Sequence, residues 1–139
     1  MDKKIILVSH GKLSAGMLHS VQMIVGERED LCCYGMMPGE HYQPIVDTIE
    51  ETLKANPDTQ YMVIADLLGG SVCNGMMTLI HHPNMKLIAG MNMGLVINLL
   101  LEPEAMTDGQ IESKIQEAKD IITLVKPESL DVKGDDDFF

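Results

Sequence analysis

The chain is poor in aromatic residues, in cysteine and in positive charge, and each shortage excludes a class of function. Its 139 residues include no tryptophan, three cysteines, and 10 lysines and arginines against 21 acidic residues. A formal net charge of −11 repels a phosphate backbone, so we expect no nucleic-acid partner. The cysteines lack the C-x-x-C spacing, and we predict neither a disulfide framework nor a zinc site from them.

Long hydrophobic runs and flexible linkers are also missing. The longest apolar run, at residues 95–101, is far too short to cross a bilayer. The first residues run straight into an apolar segment without the small-residue cleavage pattern of a secretory signal, so we expect a cytoplasmic protein. The length fits one domain, which we assign to residues 1–126, with a short strand and a mobile acidic tail over residues 127–139.

Four short apolar runs, each followed by turn residues, predict four β-strands. They lie at residues 4–9, 31–36, 61–66 and 86–91. Between them are helical patterns, such as Ile45, Ile49 and Leu53, which fall about one turn apart on a single face. Alternating strands and helices predict an α/β fold, with an open, mostly parallel sheet of four strands and helices on both faces.

Two helices are predicted in the second half of the chain. One covers residues 72–80, directly after a glycine-rich turn. The other starts at Asp108 as its cap, and Lys126-Pro127 ends it. Its apolar residues are Ile111, Ile115, Ile121, Ile122 and Val125.

The residues that can carry chemistry follow two of the predicted strands. His10 ends the first strand and Asp66 ends the third, so both lie at the carboxyl edge of the sheet, where open α/β sheets carry their sites. If these strands are neighbours, Asp66 accepts a hydrogen bond from one ring nitrogen of His10 and leaves the other free as a nucleophile. Each residue taken alone also fits a structural role in a turn or a cap.

The turn Gly69-Gly70-Ser71 completes this set. The Ser71 hydroxyl and the backbone N–H groups of Gly70 and Ser71 open the next predicted helix, where donors and the helix dipole favour an anion. The combination suits a phosphoryl group, and we predict no metal and no cofactor at the site. The other histidines, which we expect in surface or capping roles, are His19, His41, His81 and His82.

A serine hydrolase is an alternative function. The segment from Gly69 to Cys73 approaches the G-x-S-x-G turn that carries the nucleophile of α/β-hydrolases, here Ser71. It departs from that pattern at Cys73, where a side chain crowds the sharp turn, and no acidic residue follows Ser71 in the required order before His81 and His82. The glycine patterns of dinucleotide and P-loop sites are absent from the first strand–helix turn.

Several motifs together resemble the mannose-type IIA family of the bacterial sugar phosphotransferase system, which includes mannose, fructose, sorbose and N-acetylgalactosamine members. The similarity covers the chain from the first strand to Leu101. The segments that carry it are Ser9-His10-Gly11, Pro38-Gly39-Glu40, Asp66 with Gly69-Gly70-Ser71 and Asn74, and Gly90-Met91-Asn92.

This resemblance implies a phosphoryl carrier and assigns roles to the matching residues. His10 would take a phosphoryl group from the phosphocarrier HPr and pass it to a IIB component, which serves the IIC/IID membrane permease. Asp66 would orient His10, and Ser71 would donate a hydrogen bond to the phosphoryl group. The family fold also implies a homodimer that exchanges a carboxyl-terminal strand, here residues 129–133.

The sequence departs from the family pattern beside the predicted site. The departures are at Leu68, Val72, Cys73 and Gly94, where the family often has aromatic residues or proline. They spare the residues of the phosphoryl chemistry and affect the surface that meets partners. A noncatalytic regulatory module of the same fold, in which His10 is only structural, is the other alternative.

Overall fold

A computed structural model of the protein describes residues 1–128, which form a four-stranded sheet with helices packed on both sides. The strands are β1 (Asp2–His10), β2 (Leu31–Met36), β3 (Thr59–Ala65) and β4 (Met85–Ala89). Their order in the sheet is β2-β1-β3-β4, and every neighbouring pair is parallel. The predicted α/β class and the four-stranded parallel sheet are therefore confirmed.

The side chains of β1 alternate between two hydrophobic cores because successive residues of a strand point to opposite faces. Ile5 and Leu7 belong to one core, and Ile6 and Val8 belong to the other. All four are at most 2% exposed, as expected for a central strand covered on both sides. The predicted placement of helices on both faces is confirmed.

Within residues 1–128, five α-helices surround the sheet. They are α1 (Leu13–Val25), α2 (Gln43–Ala55), α3 (Ser71–Met76), α4 (Met93–Leu100) and α5 (Asp108–Asp120). Helices α1, α4 and α5 contribute to the core that contains Leu7, whereas α2 and α3 contribute to the core that contains Val8. Across residues 1–128, none of the helices combines the length and the apolar composition that a membrane span requires.

The helix predicted over residues 72–80 is only partly helical. Helix α3 ends at Met76, and the chain continues as a 3₁₀ turn, Met77–Leu79. The predicted cap of α5 was also wrong by one residue. Thr107 is the cap, because its hydroxyl accepts the Gln110 N–H while the Gln110 side chain accepts the Thr107 N–H, which forms a capping box.

Helix α5 also ends earlier than predicted. It stops at Asp120, although the apolar pattern continued to Val125. Four of the five residues from 121 to 125 are β-branched, and such side chains lose rotamer freedom in a helix. The apolar side chains of this segment are exposed rather than buried in the core. The predicted strand at residues 129–133 and the tail after it lie outside the described residues.

Candidate active site

His10 and Asp66 are neighbours because β1 and β3 pair in parallel. Val8 is opposite Ala65 in this pairing, so Asp66, the next residue, lies beside the last residues of β1. The Asp66 N–H also donates to the Val8 carbonyl at 3.1 Å, which continues the strand contact by one residue. The condition set for the predicted pair, that its two strands be adjacent, is therefore met.

One carboxylate oxygen of Asp66 holds His10 at two points. Oδ2 accepts the His10 backbone N–H at 2.8 Å and lies 2.7 Å from the ring nitrogen Nδ1. An ionised carboxylate only accepts hydrogen bonds, so Nδ1 is the nitrogen that carries the proton. In the neutral ring Nε2 then has a free lone pair, which makes Nε2 the nucleophilic atom.

The two side chains differ sharply in exposure. The His10 side chain is 47% exposed, whereas the Asp66 side chain is only 8% exposed. The second oxygen of Asp66, Oδ1, is buried and has no hydrogen-bond partner among the described residues. A buried carboxylate with unused acceptor capacity favours positive charge beside it. Asp66 is therefore suited to stabilise an imidazole ring that becomes positively charged.

Ser71 lies on the other side of the ring. Its Oγ is 3.2 Å from Nε2 of His10, so the hydroxyl is next to the nucleophilic atom. The prediction that the Gly70 N–H is available to an anion was wrong. That N–H donates to the Leu67 carbonyl at 3.2 Å within the turn. The donor that this turn places beside the His10 ring is therefore the Ser71 hydroxyl.

Two glycines make the turn possible. Gly69 has a φ of +83°, in the left-handed region that side chains disfavour. A Cβ on Gly70 would lie 3.1 Å from Cε1 of His10 and 3.3 Å from the Leu67 carbonyl oxygen. The absence of a side chain at Gly70 therefore lets the backbone approach the imidazole closely. The side chain of Asn74 donates to the Gly69 carbonyl at 3.3 Å and supports the same turn.

The residues that depart from the family pattern divide into surface and core positions. Leu68 is 77% exposed, and its neighbour Leu67 is 60% exposed, so both present apolar surface beside Asp66. Val72 and Cys73 are fully buried in the core on the α2 side of the sheet. Gly94, the fourth departure, is partly exposed in α4. The departures that lie at the surface are therefore Leu68 and Gly94, and the two buried departures do not belong to a surface that meets partners.

Two of the other histidines make specific contacts. Nδ1 of His41 accepts the backbone N–H of Gln43, the first residue of α2, at 3.0 Å, although the N-cap residue of that helix is Tyr42. Nε2 of His82 lies 2.9 Å from Oε2 of Glu50, a contact that the sequence did not predict. The two residues are 32 positions apart, and only the packing of α2 beside the turn before β4 brings them together.

These features define a parallel α/β protein with a carboxylate-held, half-exposed histidine at the carboxyl ends of its central strands. A family model of the EIIA-man type, described as "PTS system fructose IIA component", matches residues 4–116. The chain belongs to this mannose/sorbose-type family of phosphotransferase-system IIA components, which confirms the resemblance seen in the sequence.

Individual relatives agree with the family assignment. The chain is 31% identical over 96 residues to the sorbose-specific EIIA component of Klebsiella pneumoniae, covering 68% of this chain and 70% of that protein. The mannose/sorbose-specific IIA subunit of Enterococcus faecalis superposes with a TM-score of 0.78 at 30% identity, covering 91% and 96% of the two chains.

A more distant structure shows the same fold. The IIA protein associated with the fucose utilization operon of Streptococcus pneumoniae has a TM-score of 0.79 at 23% identity, covering 92% of this chain and 96% of that one. This protein and the Streptococcus pneumoniae protein thus share the α/β architecture, and at 23% identity the comparison speaks only for the fold.

Proposed function

We propose that this protein is a phosphoryl carrier that uses His10. It takes the phosphoryl group from phosphorylated HPr and passes it to a IIB component, which serves sugar uptake through the IIC/IID permease. The observation that carries the proposal is the geometry of His10, since Asp66 holds Nδ1 at 2.7 Å and the ring is 47% exposed. A carrier needs an oriented nucleophile that two successive proteins can reach.

The chemistry follows from the arrangement around the ring. The lone pair of Nε2 attacks the phosphorus of phosphohistidine on HPr, the N–P bond of HPr breaks, and its electron pair returns to the HPr ring. A new N–P bond forms on His10, and no proton leaves Nε2, because that atom carried none. In the second transfer, a nucleophile of the IIB component attacks the phosphorus, the N–P bond of His10 breaks, and its electron pair returns to Nε2.

Asp66 and Ser71 have separate roles in this transfer. Phosphorylation puts positive charge on the His10 ring, and the buried Asp66 carboxylate lies against that charge. The Ser71 hydroxyl lies 3.2 Å from Nε2 and donates to an oxygen of the phosphoryl group once Nε2 has formed its new bond. Gly69 and Gly70 shape the turn that carries Ser71, and no metal or cofactor takes part.

Charge and surface character favour protein partners at this site. The net charge of −11 steers a partner with a basic face toward the protein, and this steering weakens as salt rises. Leu67 and Leu68 add exposed apolar surface beside the site. HPr and the IIB component are the partners we propose, in the cytoplasm, where HPr works.

We also propose a homodimer that exchanges the strand at residues 129–133. Within residues 1–128, β4 pairs with β3 alone, so its other edge can accept a further strand. The segment that leads toward residue 129 exposes Ile121, Ile122 and Val125, which a second subunit would cover. Light scattering of the full chain and of a chain ending at residue 128 tests this, since only the full chain is expected to dimerise.

Transfer of labelled phosphate from phosphorylated HPr tests the carrier proposal. We expect the wild-type protein to take up an acid-labile phosphate and the His10→Gln variant to take up none. His19→Gln, which changes an exposed histidine on α1, is the matched control and keeps full uptake. Failure of the wild type to take up phosphate would instead support a noncatalytic regulatory module.

A serine hydrolase is the second candidate because of one observation. Asp66, His10 and Ser71 lie in the hydrogen-bonded order of a catalytic triad, with 2.7 Å between the first pair and 3.2 Å between the second. In that function Ser71 would be the nucleophile and His10 its base. A fluorophosphonate probe separates the two, since it labels Ser71 of a hydrolase and leaves a phosphoryl carrier unlabelled.

A further inference from the structure

A cluster of three side chains of the types that bind metals lies at the end of the sheet opposite His10. His81 and His82 belong to the turn that precedes β4, so they lie at the amino end of that strand, and Glu50 extends from α2. One ligand atom of each residue lies within 4.8 Å of those of the other two. The proposed phosphoryl transfer uses none of these residues.

The three side chains lie near enough to one another to share one divalent ion. Nε2 of His82 and Oε2 of Glu50 are 2.9 Å apart, and the centroids of the two histidine rings are 4.2 Å apart. Zinc binds imidazole nitrogen and carboxylate oxygen at about 2.0–2.2 Å, which puts tetrahedral donor atoms about 3.4 Å from one another. His81 is exposed, so its ring has room to turn toward the other two ligands.

The turn that carries the histidines is held in place without a metal. Asn84, which is 5% exposed, donates from Nδ2 to the carbonyls of Leu53 and Asn56 at 3.1 and 3.0 Å. Both carbonyls belong to the end of α2, the helix that carries Glu50. Because hydrogen bonds hold α2 and the turn before β4 together without an ion, ion binding requires little further ordering of either element.

The charges near the cluster are compatible with a cation. Lys54 lies 3.9 Å from Oε1 of Glu50, whereas His82 contacts the other oxygen, Oε2. The ammonium group and an ion bound by the histidines therefore meet different sides of the carboxylate.

From this geometry we infer that Glu50, His81 and His82 form a binding site for a divalent transition-metal ion of the zinc type. Two imidazoles and one carboxylate supply three ligands, and water completes the coordination. The ion replaces the direct His82–Glu50 contact and links α2 to the turn before β4. The sequence pattern did not predict this site because the ligands come from two elements separated by β3.

Calorimetric titration of the untagged protein with zinc tests the site. We expect saturable binding of one ion, and an affinity at least about tenfold lower in Glu50→Gln and in His81→Gln, since even groups that only orient a ligand are worth that much. The controls are Glu51→Gln, an exposed acid on the same helix, and His19→Gln, and both are expected to bind zinc like the wild type.

Two further results decide the identity of the ligands. The ring resonances of His81 and His82 are expected to shift on zinc addition, and those of His10 are not. Wild-type protein without saturable zinc binding would overturn the inference, as would a site that survives His81→Gln or disappears in His10→Gln. Because His81 is exposed, His81→Gln is expected to fold and tests the site even if His82→Gln does not fold.

Discussion

Nδ1 of His10 lies 2.7 Å from Oδ2 of Asp66, and the same oxygen accepts the His10 backbone N–H at 2.8 Å. A single buried carboxylate oxygen thus sets the position of the last residue of β1 and the orientation of its ring. Because both contacts come from the strand pairing of β1 with β3, the site depends on the centre of the sheet and not on a flexible loop. Precise placement of this kind is what a nucleophile requires.

Asp66→Asn is expected to slow phosphoryl transfer to His10. An amide can donate to Nδ1 and so favour the tautomer that protonates Nε2, which removes the nucleophilic lone pair. We expect a loss between about tenfold and 10⁴-fold, the upper figure being the cost of the same change behind a protease histidine. Rapid-quench measurement of phosphate uptake checks this. The control is Asp58→Asn, which removes the same negative charge at an exposed position. An unchanged rate in Asp66→Asn would remove the orienting role.

Ser71→Ala is expected to slow the transfer but not to abolish it. The hydroxyl only donates a hydrogen bond to the phosphoryl group, and Ser71 is exposed to water. We therefore expect the transfer rate to fall roughly three- to 30-fold, which is less than the loss of a donor costs in a site that excludes water. Ser71→Thr keeps the hydroxyl and is expected to retain most of the rate. Complete loss in Ser71→Ala, with the fold intact, would contradict an assisting role.

Gly70→Ala is expected to impair transfer through a steric effect on the ring. The added Cβ lies 3.1 Å from Cε1 of His10 and 3.3 Å from the Leu67 carbonyl oxygen. Because the carbonyl belongs to the backbone, the imidazole ring is the group that must shift. Gly16→Ala is the control, because its Cβ meets no heavy atom within 4 Å in α1. That control is expected to keep full transfer and to gain about 0.5–1 kcal/mol of unfolding free energy, measured in urea. Equal transfer rates in Gly70→Ala and the wild type would refute the steric explanation.

The Arg28–Asp30 pair is expected to make part of the stability depend on pH. Its two hydrogen bonds, each 2.9 Å, hold the pKa of Asp30 below its ordinary value of 3.8. A carboxyl group with a lowered pKa stabilises the fold above its unfolded pKa, and this contribution disappears as the pH falls through the lowered value.

The comparison of wild type with Asp30→Asn in urea isolates this contribution. Because the pair is partly exposed, we expect the wild type to be more stable by about 0.5–1 kcal/mol at pH 7. The difference should begin to narrow below about pH 3.8, where Asp30 takes up a proton in the unfolded chain, and should vanish as the pH falls through the lowered pKa of Asp30 in the folded protein. A difference that stays constant down to about pH 2.5 would show that the ion pair is not its source. Arg28→Gln is the matched variant and is expected to lose the same pH-dependent part.

The sequence predicted the strands well because their burial has a simple local signature. Each apolar run between turn residues became a strand, with ends that differ by at most two residues. The end of α5 was harder to predict, because Ile121, Ile122 and Val125 continue the apolar pattern yet are exposed. Apolar spacing alone does not say whether such residues face the core of their own chain or some other surface.

The candidate site was predictable in its members but not in every contact. His10 and Asp66 follow two strands, and parallel strands end at one edge, so their proximity needed only adjacent strands. The hydrogen-bond partner of the Gly70 N–H could not be predicted from the sequence, because its bond to the Leu67 carbonyl depends on the geometry of the turn. The contact between His82 and Glu50 likewise depends on how α2 packs on the sheet, which periodicity does not specify.

The most direct test of the carrier function is the identity of the atom that carries phosphate. Nitrogen-15 NMR of the protein after incubation with phosphorylated HPr distinguishes the two ring nitrogens of every histidine. We predict a single phosphohistidine, at His10, with phosphorus on Nε2 and the proton kept on Nδ1 toward Asp66. Phosphate on Nδ1, on another residue, or on none would contradict this prediction.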